Sequence, residues 1–389
     1  MSNFVESDER IELRKQVAKL ASKYGQEYFL KKARAGEKTT ELWLELGKNG
    51  YLGVNLPEEY GGGGGGLGDV AAVLEEVGAA GCPLLLMVVS PAICGTVINR
   101  YGTEAQKQRW LPGIADGTET MAFAITEPDA GTNSHNIITT ARRDGDEWVL
   151  NGRKIYISGL DESKNVLVVA RTEDAKTGKL KPCLFVVPTD APGFEFTPIA
   201  MEFVSPELQF QVFIDDVRLP ADALVGDQTG SGGGLEMLFA GLNPERVMAA
   251  SFATGLARFA LTKAAAYAKE RTVFDAPIGS HQAIAHPLAQ AHIQVELARL
   301  MTQKAAALVD EGRDFEAGEA ANMAKYAAAE ASCFAVDTSV HTFGGNGLTQ
   351  EYGMGALVAA SRVMRIAPVS KEMILNFVSM HSLGLPKSY

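Results

Sequence analysis

From residue 119 to residue 228 the chain carries strand pattern without helix pattern, and helical pattern lies on both sides of it. The runs 121–126, 137–142, 148–150, 154–158, 166–171, 183–188 and 208–217 are short and rich in β-branched and aromatic residues. Asp144-Gly145 and Asn151-Gly152 read as hairpin dipeptides between such runs. Closely spaced strands with turn signals and no helix between them predict an antiparallel barrel or sandwich.

The flanks differ. In 1–118, Ile11, Leu13, Val17 and Leu20 recur at helical spacing, and Leu42, Leu44 and Leu46 mark a second short helix. The 229–389 stretch opens with Gly230, Gly232, Gly233 and Gly234. It then becomes alanine-rich, with Val247, Met248, Phe252, Leu256, Phe259 and Ala260 on one stripe. Further helical pattern at 290–311 and 316–340, joined by short polar connections, predicts an antiparallel bundle. The expected class is multidomain α and β: an N-terminal helical domain (1–118), a middle β domain (119–228) and a C-terminal helical bundle (229–389).

Several functions are disfavoured. A formal net charge of -11 with no basic face argues against nucleic acid as partner. The four cysteines, Cys82, Cys94, Cys183 and Cys333, have no C-x-x-C spacing, so no metal is expected and they read as buried small residues in a reducing compartment. The first twenty residues mix acids and bases without an apolar run, and 82–98 is broken by Pro91 and Gly95, so neither a signal nor a membrane span is expected. The expected location is the cytoplasm. Six glycines at 61–66 lack the Lys-Ser/Thr of a phosphate loop and read as a flexible turn. No G-x-G-x-x-G stands between a strand and a helix, so a dinucleotide would need another architecture.

Four segments resemble, in order, the signatures of the acyl-CoA dehydrogenase family. They are Phe-Ala-Ile-Thr-Glu-Pro-Asp-Ala-Gly-Thr-Asn at 123–133 and Asn-Gly-Arg-Lys-Ile-Tyr-Ile-Ser at 151–158. The others are Glu-Arg-Thr-Val-Phe at 270–274, with Ile278, Gly279 and Gln282, and His-Thr-Phe-Gly-Gly-Asn-Gly at 341–347. The similarity runs from about Leu42 to the C-terminus. It implies FAD as cofactor and α,β-dehydrogenation of an acyl-CoA thioester, as in the β-oxidation of fatty acids.

The resemblance also implies roles. Thr126 and Ser158 match hydroxyls that bond the flavin ring, with Phe123 and Ile125 as wall and backbone. Tyr156 stands where the family usually has Trp beside the flavin. Thr132 matches a hydroxyl that binds pyrophosphate, and it also borders the substrate. Arg271 matches an arginine that reaches the FAD pyrophosphate of a neighbouring subunit, a task its forked donors suit. Phe274 and Gln282 match other contacts from that subunit, and Gly344 and Gly345 match close backbone approaches to the adenine-side diphosphate. His341 replaces a common Gln, and Asp275 replaces the usual Gly. Each residue taken alone also reads as an exposed hydroxyl, a core aromatic or a solvated charge.

The chemistry needs a carboxylate to take the α-proton. Many members carry it where this chain has Pro368, in Arg-Ile-Ala-Pro-Val-Ser-Lys-Glu at 365–372. A minority, the isovaleryl and long-chain types, place it in a Glu-Arg pair on the first long bundle helix. Here that pair is Glu245-Arg246, after Asn243-Pro244. Asn243 reads as an N-cap and Pro244 as the first helical residue, which puts Glu245 in the first turn. The competing reading is an acid favoured there by the helix dipole. Glu372 is the rival carboxylate, and Ser370 and Glu372 are otherwise expected on the cofactor side. Arg246 matches an arginine near the thioester. Pro368 has no N–H for the thioester carbonyl, so Val369 N–H is expected to replace it. Ala367, in place of a bulky Tyr, predicts room for a branched or bulky acyl group.

Alternatives on the same fold are a flavin monooxygenase, an oxidase or a desulfinase, or a silent subunit of a heteromeric dehydrogenase. The expected partners are an acyl-CoA and an electron-transfer flavoprotein, and the expected assembly is a homotetramer built as a dimer of dimers.

Overall fold

The computed structural model describes residues 6–173, 178–226 and 234–387. Gly230, Gly232 and Gly233 therefore lie outside the described residues. The N-terminal helices are α1 (Asp8–Ala21), α2 (Gly25–Ala35), α3 (Thr40–Lys48), α4 (Leu67–Ala79), α5 (Thr96–Tyr101) and α6 (Glu104–Asp116). Side chains that accept from orphan N–H groups start two of them: Ser7 accepts from Arg10 N in α1, and Thr103 with Gln106 forms a capping box in α6. A π-helical segment, Val88–Gly95, runs directly into α5.

The glycine run is a packed turn, which corrects the reading as a flexible one. Gly63, Gly64 and Gly65 donate to the carbonyls of Gly53, Leu56 and Val54 at 2.8–3.0 Å. A Cβ on Gly62 would lie 2.1 Å from the Leu56 carbonyl oxygen, so only glycine fits there. The amides that open α4 are already used: Gly66 N donates to Asp69, and Leu67 N and Gly68 N donate to Asp310. Among the described residues, no donor array in this run is left over for a phosphate.

The central sheet has seven strands: β1 (Met121–Ala124), β2 (Thr140–Asp144), β3 (Glu147–Ser158), β4 (Asn165–Glu173), β5 (Leu180–Pro188), β6 (Phe194–Ile199) and β7 (Gln209–Pro220). Pairings β2–β3, β3–β7, β4–β5 and β6–β7 are antiparallel. The pairings of β1 and β2 with β4 are parallel, which the pattern of short strands did not foretell. Asp144-Gly145 does turn a hairpin, with Gly145 at φ 63°. Asn151-Gly152 does not: it lies inside β3 at a bulge, and Asn151 exchanges hydrogen bonds with Asp216 of β7. Strand β4 is buried on both faces. Val166, Val168 and Ala170 face the sheet interior with Phe185 and Trp148, whereas Leu167 and Val169 join the core shared with the N-terminal helices. That double burial explains its continuous apolar run.

The C-terminal helices are α7 (Gly234–Glu270), α8 (Gln282–Asp310), α9 (Asp314–Phe343), α10 (Ala356–Ile366) and α11 (Lys371–His381), with a short hairpin β8 (Thr272–Val273)–β9 (Ala276–Pro277) between α7 and α8. Helices α7 and α4 cross at backbone distance. A Cβ on Gly255 would sit 2.6 Å from the Glu75 carbonyl oxygen and 3.2 Å from Gly78 Cα. Four helices meet at a buried charge cluster. Arg14 of α1, Arg258 of α7 and Arg299 of α8 surround Glu75 and Glu76 of α4, which are 4% and 6% exposed. Among the described residues, no helix is long and apolar enough to cross a membrane.

Candidate active site

Helix α7 begins well before Asn243, so Pro244 is an interior proline and Glu245 lies about three turns in. This overturns the expected N-cap at Asn243 and the first-turn position of Glu245. A dipole-favoured surface acid no longer accounts for the residue, because that effect fades beyond the first turn. Pro244 therefore removes one backbone hydrogen bond from the interior of α7. Arg246 reinforces the same turn, its Nη1 donating to Leu242 O and Asn243 Oδ1 at 3.1 Å.

Glu245 keeps part of its surface accessible, but the surrounding protein strips away hydration. Burial raises its carboxyl to about 7, against the pull of Arg246 and Lys325. The Cys94 thiol also feels this carboxylate, after burial has pushed it up. Cys94 lies on the π-helical segment, and its Sγ is 3.5 Å from Ala122 O of β1. Ser90 on the same segment accepts from Met121 N at 3.1 Å. The segment thus fastens the neighbourhood of Glu245 to the strand that leads into 123–133.

The 123–133 and 151–158 segments lie side by side. Ile155 N donates to Thr126 O at 2.9 Å. Strand β3 bulges between Lys154 and Ile157, and Tyr156 takes φ 58° there with its ring 57% exposed. Phe123, Ile125, Thr126 and Ser158 are half-buried around this bulge, and Ser158 Oγ donates to Gln209 Oε1 at 3.0 Å. Thr132 is exposed on the loop between β1 and β2. An aromatic ring and hydroxyls presented along a kinked strand fit one face of a flat heterocycle.

A second group surrounds the β8–β9 hairpin and the end of α9. Arg271, Phe274, His341, Gly344 and Gly345 line one open cleft with Tyr267 and Asn346, and Gln282 is exposed at the start of α8. Phe274 is 89% exposed at the tip of the β8–β9 hairpin. Gly344 ends α9 at φ 58°, which glycine adopts without strain. A guanidinium, exposed rings and bare backbone in one open cleft can receive an anionic group and a flat ring.

A third set surrounds 367–370. Ala367 is exposed at the end of α10, its N donating to Val363 O at 2.9 Å, and the Ala367–Pro368 peptide is cis. The Ser370 hydroxyl caps α11 by accepting from Met373 N. Glu372 is exposed in the first turn of α11, unlike the half-buried Glu245.

Two buried lysines, Lys154 and Lys325, stand beside these sets. Lys154 is fully buried and donates to Glu127 Oε1 at 2.9 Å and to Ile125 O at 3.0 Å. Glu127 and Ile125 belong to the 123–133 segment and Lys154 to the 151–158 segment. Lys325 of α9 is 1% exposed and donates to Val369 O. In the sequence it stands as a cation within an alanine-rich helical run.

The models of the N-terminal, middle and C-terminal domains of acyl-CoA dehydrogenase match residues 7–118, 122–213 and 232–383. The chain is 65% identical over 388 residues to the acyl-CoA dehydrogenase FadE12 of Mycobacterium tuberculosis, covering 100% of this chain and 99% of that one. A glutaryl-coenzyme A dehydrogenase solved with glutaryl-CoA superposes with TM-score 0.93 at 29% identity, over 99% of this chain and 98% of that one. A glutaryl-CoA dehydrogenase from Mycobacterium smegmatis solved with FADH2 gives 0.89 at 26% identity, over 99% and 96%.

Proposed function

The chain belongs to the acyl-CoA dehydrogenase family, and from that premise we propose that Glu245 is the base that takes the α-proton of a bound acyl-CoA. The enzyme is an FAD-dependent acyl-CoA dehydrogenase. Bound FAD supplies the hydride acceptor. The reaction balances simply: the α-proton passes to Glu245, a hydride leaves the β-carbon, and a trans-2,3 double bond forms.

One observation carries the choice of base. Glu245 is a half-buried carboxylate raised to about 7, flanked by Arg246 and Lys325, whereas Glu372 is exposed. A base near the working pH combines an ionised fraction with a real affinity for the proton. On this reading Arg246 lies near the thioester, and Val369 N–H serves its carbonyl in place of Pro368. Phe123, Ile125, Thr126, Tyr156 and Ser158 form the flavin wall, and Thr132 meets pyrophosphate and substrate. Arg271, Phe274, Gln282, His341, Gly344 and Gly345 reach the FAD of a second copy, which makes the assembly at least a dimer. Ser370 and Glu372 lie on the cofactor side.

The further expectations are a homotetramer, a cytoplasmic location, electron-transfer flavoprotein as acceptor, and a place in fatty-acid β-oxidation. Small Ala367 supports a branched or bulky acyl group. The test is anaerobic mixing of the holoenzyme with butyryl-, isobutyryl-, isovaleryl- and octanoyl-CoA. The reading expects bleaching of the visible flavin band, fastest with a branched chain. No bleaching with any thioester, or rapid reoxidation of reduced flavin by air, would contradict it.

A further inference from the structure

Helix α9 buries a run of alanines along its middle turns: Ala320, Ala321, Ala324, Ala328 and Ala329 are at most 4% exposed. Lys325 interrupts that run at 1% exposure. A buried ammonium is costly and persists only with partners or a task. Its one hydrogen bond among the described residues is to the Val369 carbonyl, so two of its three N–H donors have no protein partner.

The charges around it are unequal. Glu330 faces Lys325 but is held by Arg365 at 2.7 Å, with Lys371 at 3.9 Å. Glu372 faces it from α11 but is exposed to solvent. Arg246 of α7 is a repelling neighbour. That leaves Glu245 of α7 as the screened-from-water carboxylate without a salt bridge of its own among the described residues. From its own side, Glu245 meets Arg246, Lys325 and the Cys94 thiol.

We propose that Lys325 is a positioning residue for proton abstraction: from α9 it holds the Val369 carbonyl of the 367–370 loop and sets its ammonium charge against the Glu245 carboxylate. The inference rests on Glu245 being the base. It adds a reason for the arrangement of α9, because one side chain couples the placement of the loop to the ionisation of the carboxylate. Burial brings Lys325 itself down to about 8 and raises Glu245 to about 7, so the two opposite charges meet near neutrality.

The test uses FAD-loaded enzyme and isobutyryl-CoA or isovaleryl-CoA, whichever bleaches the flavin faster, and reads the rate of the reductive half-reaction against pH. Lys325→Met removes charge and hydrogen bond. Lys325→Gln removes charge but can still donate to Val369 O, and it serves if the Met variant does not fold. Lys325→Arg keeps the charge. The acid limb is expected to move up in the Met and Gln variants and to stay in place in the Arg variant. A uniform loss of rate in Met and Gln with an unmoved limb would overturn the inference. Glu245→Gln separates the two readings. If it still exchanges the α-proton, the base assignment falls and this inference with it; if it is inert while the limb of Lys325→Gln is unmoved, only the role of Lys325 falls.

Discussion

Lys154 Nζ lies 2.9 Å from Glu127 Oε1 in a site where the lysine is fully buried and the glutamate 3% exposed. Glu127 also accepts from Ile138 N at 2.6 Å, from Thr139 N at 2.9 Å and from the Thr139 hydroxyl. Burial brings Lys154 down to about 8 against the pull of Glu127, while Glu127 is lowered despite burial because Lys154 and these donors outweigh it. The pair fastens the loop after β1 to the bulge that exposes Tyr156. Lys154→Met leaves a buried carboxylate unpaired and is expected to cost about 3–5 kcal/mol. Urea unfolding of holoenzyme checks this, and FAD retention on dilution should fall with it.

The Arg14–Glu75–Arg258–Arg299 cluster gives the fold an acid-sensitive joint. Burial opposes ionisation of Glu75, but Arg14, Arg299 and Arg258 outweigh it and hold its pKa below the usual value. Its stabilisation is therefore present above the unfolded pKa of about 4.3 and is lost as pH falls through the lowered folded value. Glu75→Gln should unfold more easily near neutrality, by about 3 kcal/mol, and the gap from the wild type should close on acidification. Thermal melts at stepped pH read both.

The β8–β9 hairpin turns on Phe274 and Asp275, with φ 54° and 60°. Both central residues are left-handed, as a type I′ turn requires, and only glycine adopts that without cost. Asp275→Gly is expected to stabilise by about 0.5 kcal/mol, and Asp275→Val to destabilise by 1 kcal/mol or about twice that. Melting curves of the two variants should fall on opposite sides of the wild type.

Ile293, Leu297 and Leu300 of α8 form a helical stripe exposed at 59%, 62% and 51%. Such a stripe of large apolar side chains fits burial against another copy. Leu297→Asp should shift the sedimentation coefficient to a smaller species, with α-helical content unchanged. An unchanged assembly would count against this face as the contact.

Much of this was legible in the chain. Periodicity gave the helix–sheet–helix order because each layer buries a face with its own period. Its failures have physical causes. Asn151-Gly152 reads as a turn locally, yet Asn151 is held in β3 by Asp216, a partner far along the chain. Pro244 reads as a helix start, yet α7 continues through it inside the packed bundle. The paired roles of Glu127 with Lys154, and of Glu245 with Lys325, depend on contacts across elements that no local pattern encodes.

Proton exchange at the α-carbon tests the central claim most directly. Wild-type holoenzyme incubated anaerobically with a bound acyl-CoA in deuterated water should wash deuterium into C2, at a rate that rises as pH passes about 7 and Glu245 ionises. Glu245→Gln, still carrying FAD, should lose that exchange by about 10²–10⁴-fold. Exchange at the wild-type rate in the FAD-loaded variant would contradict the account.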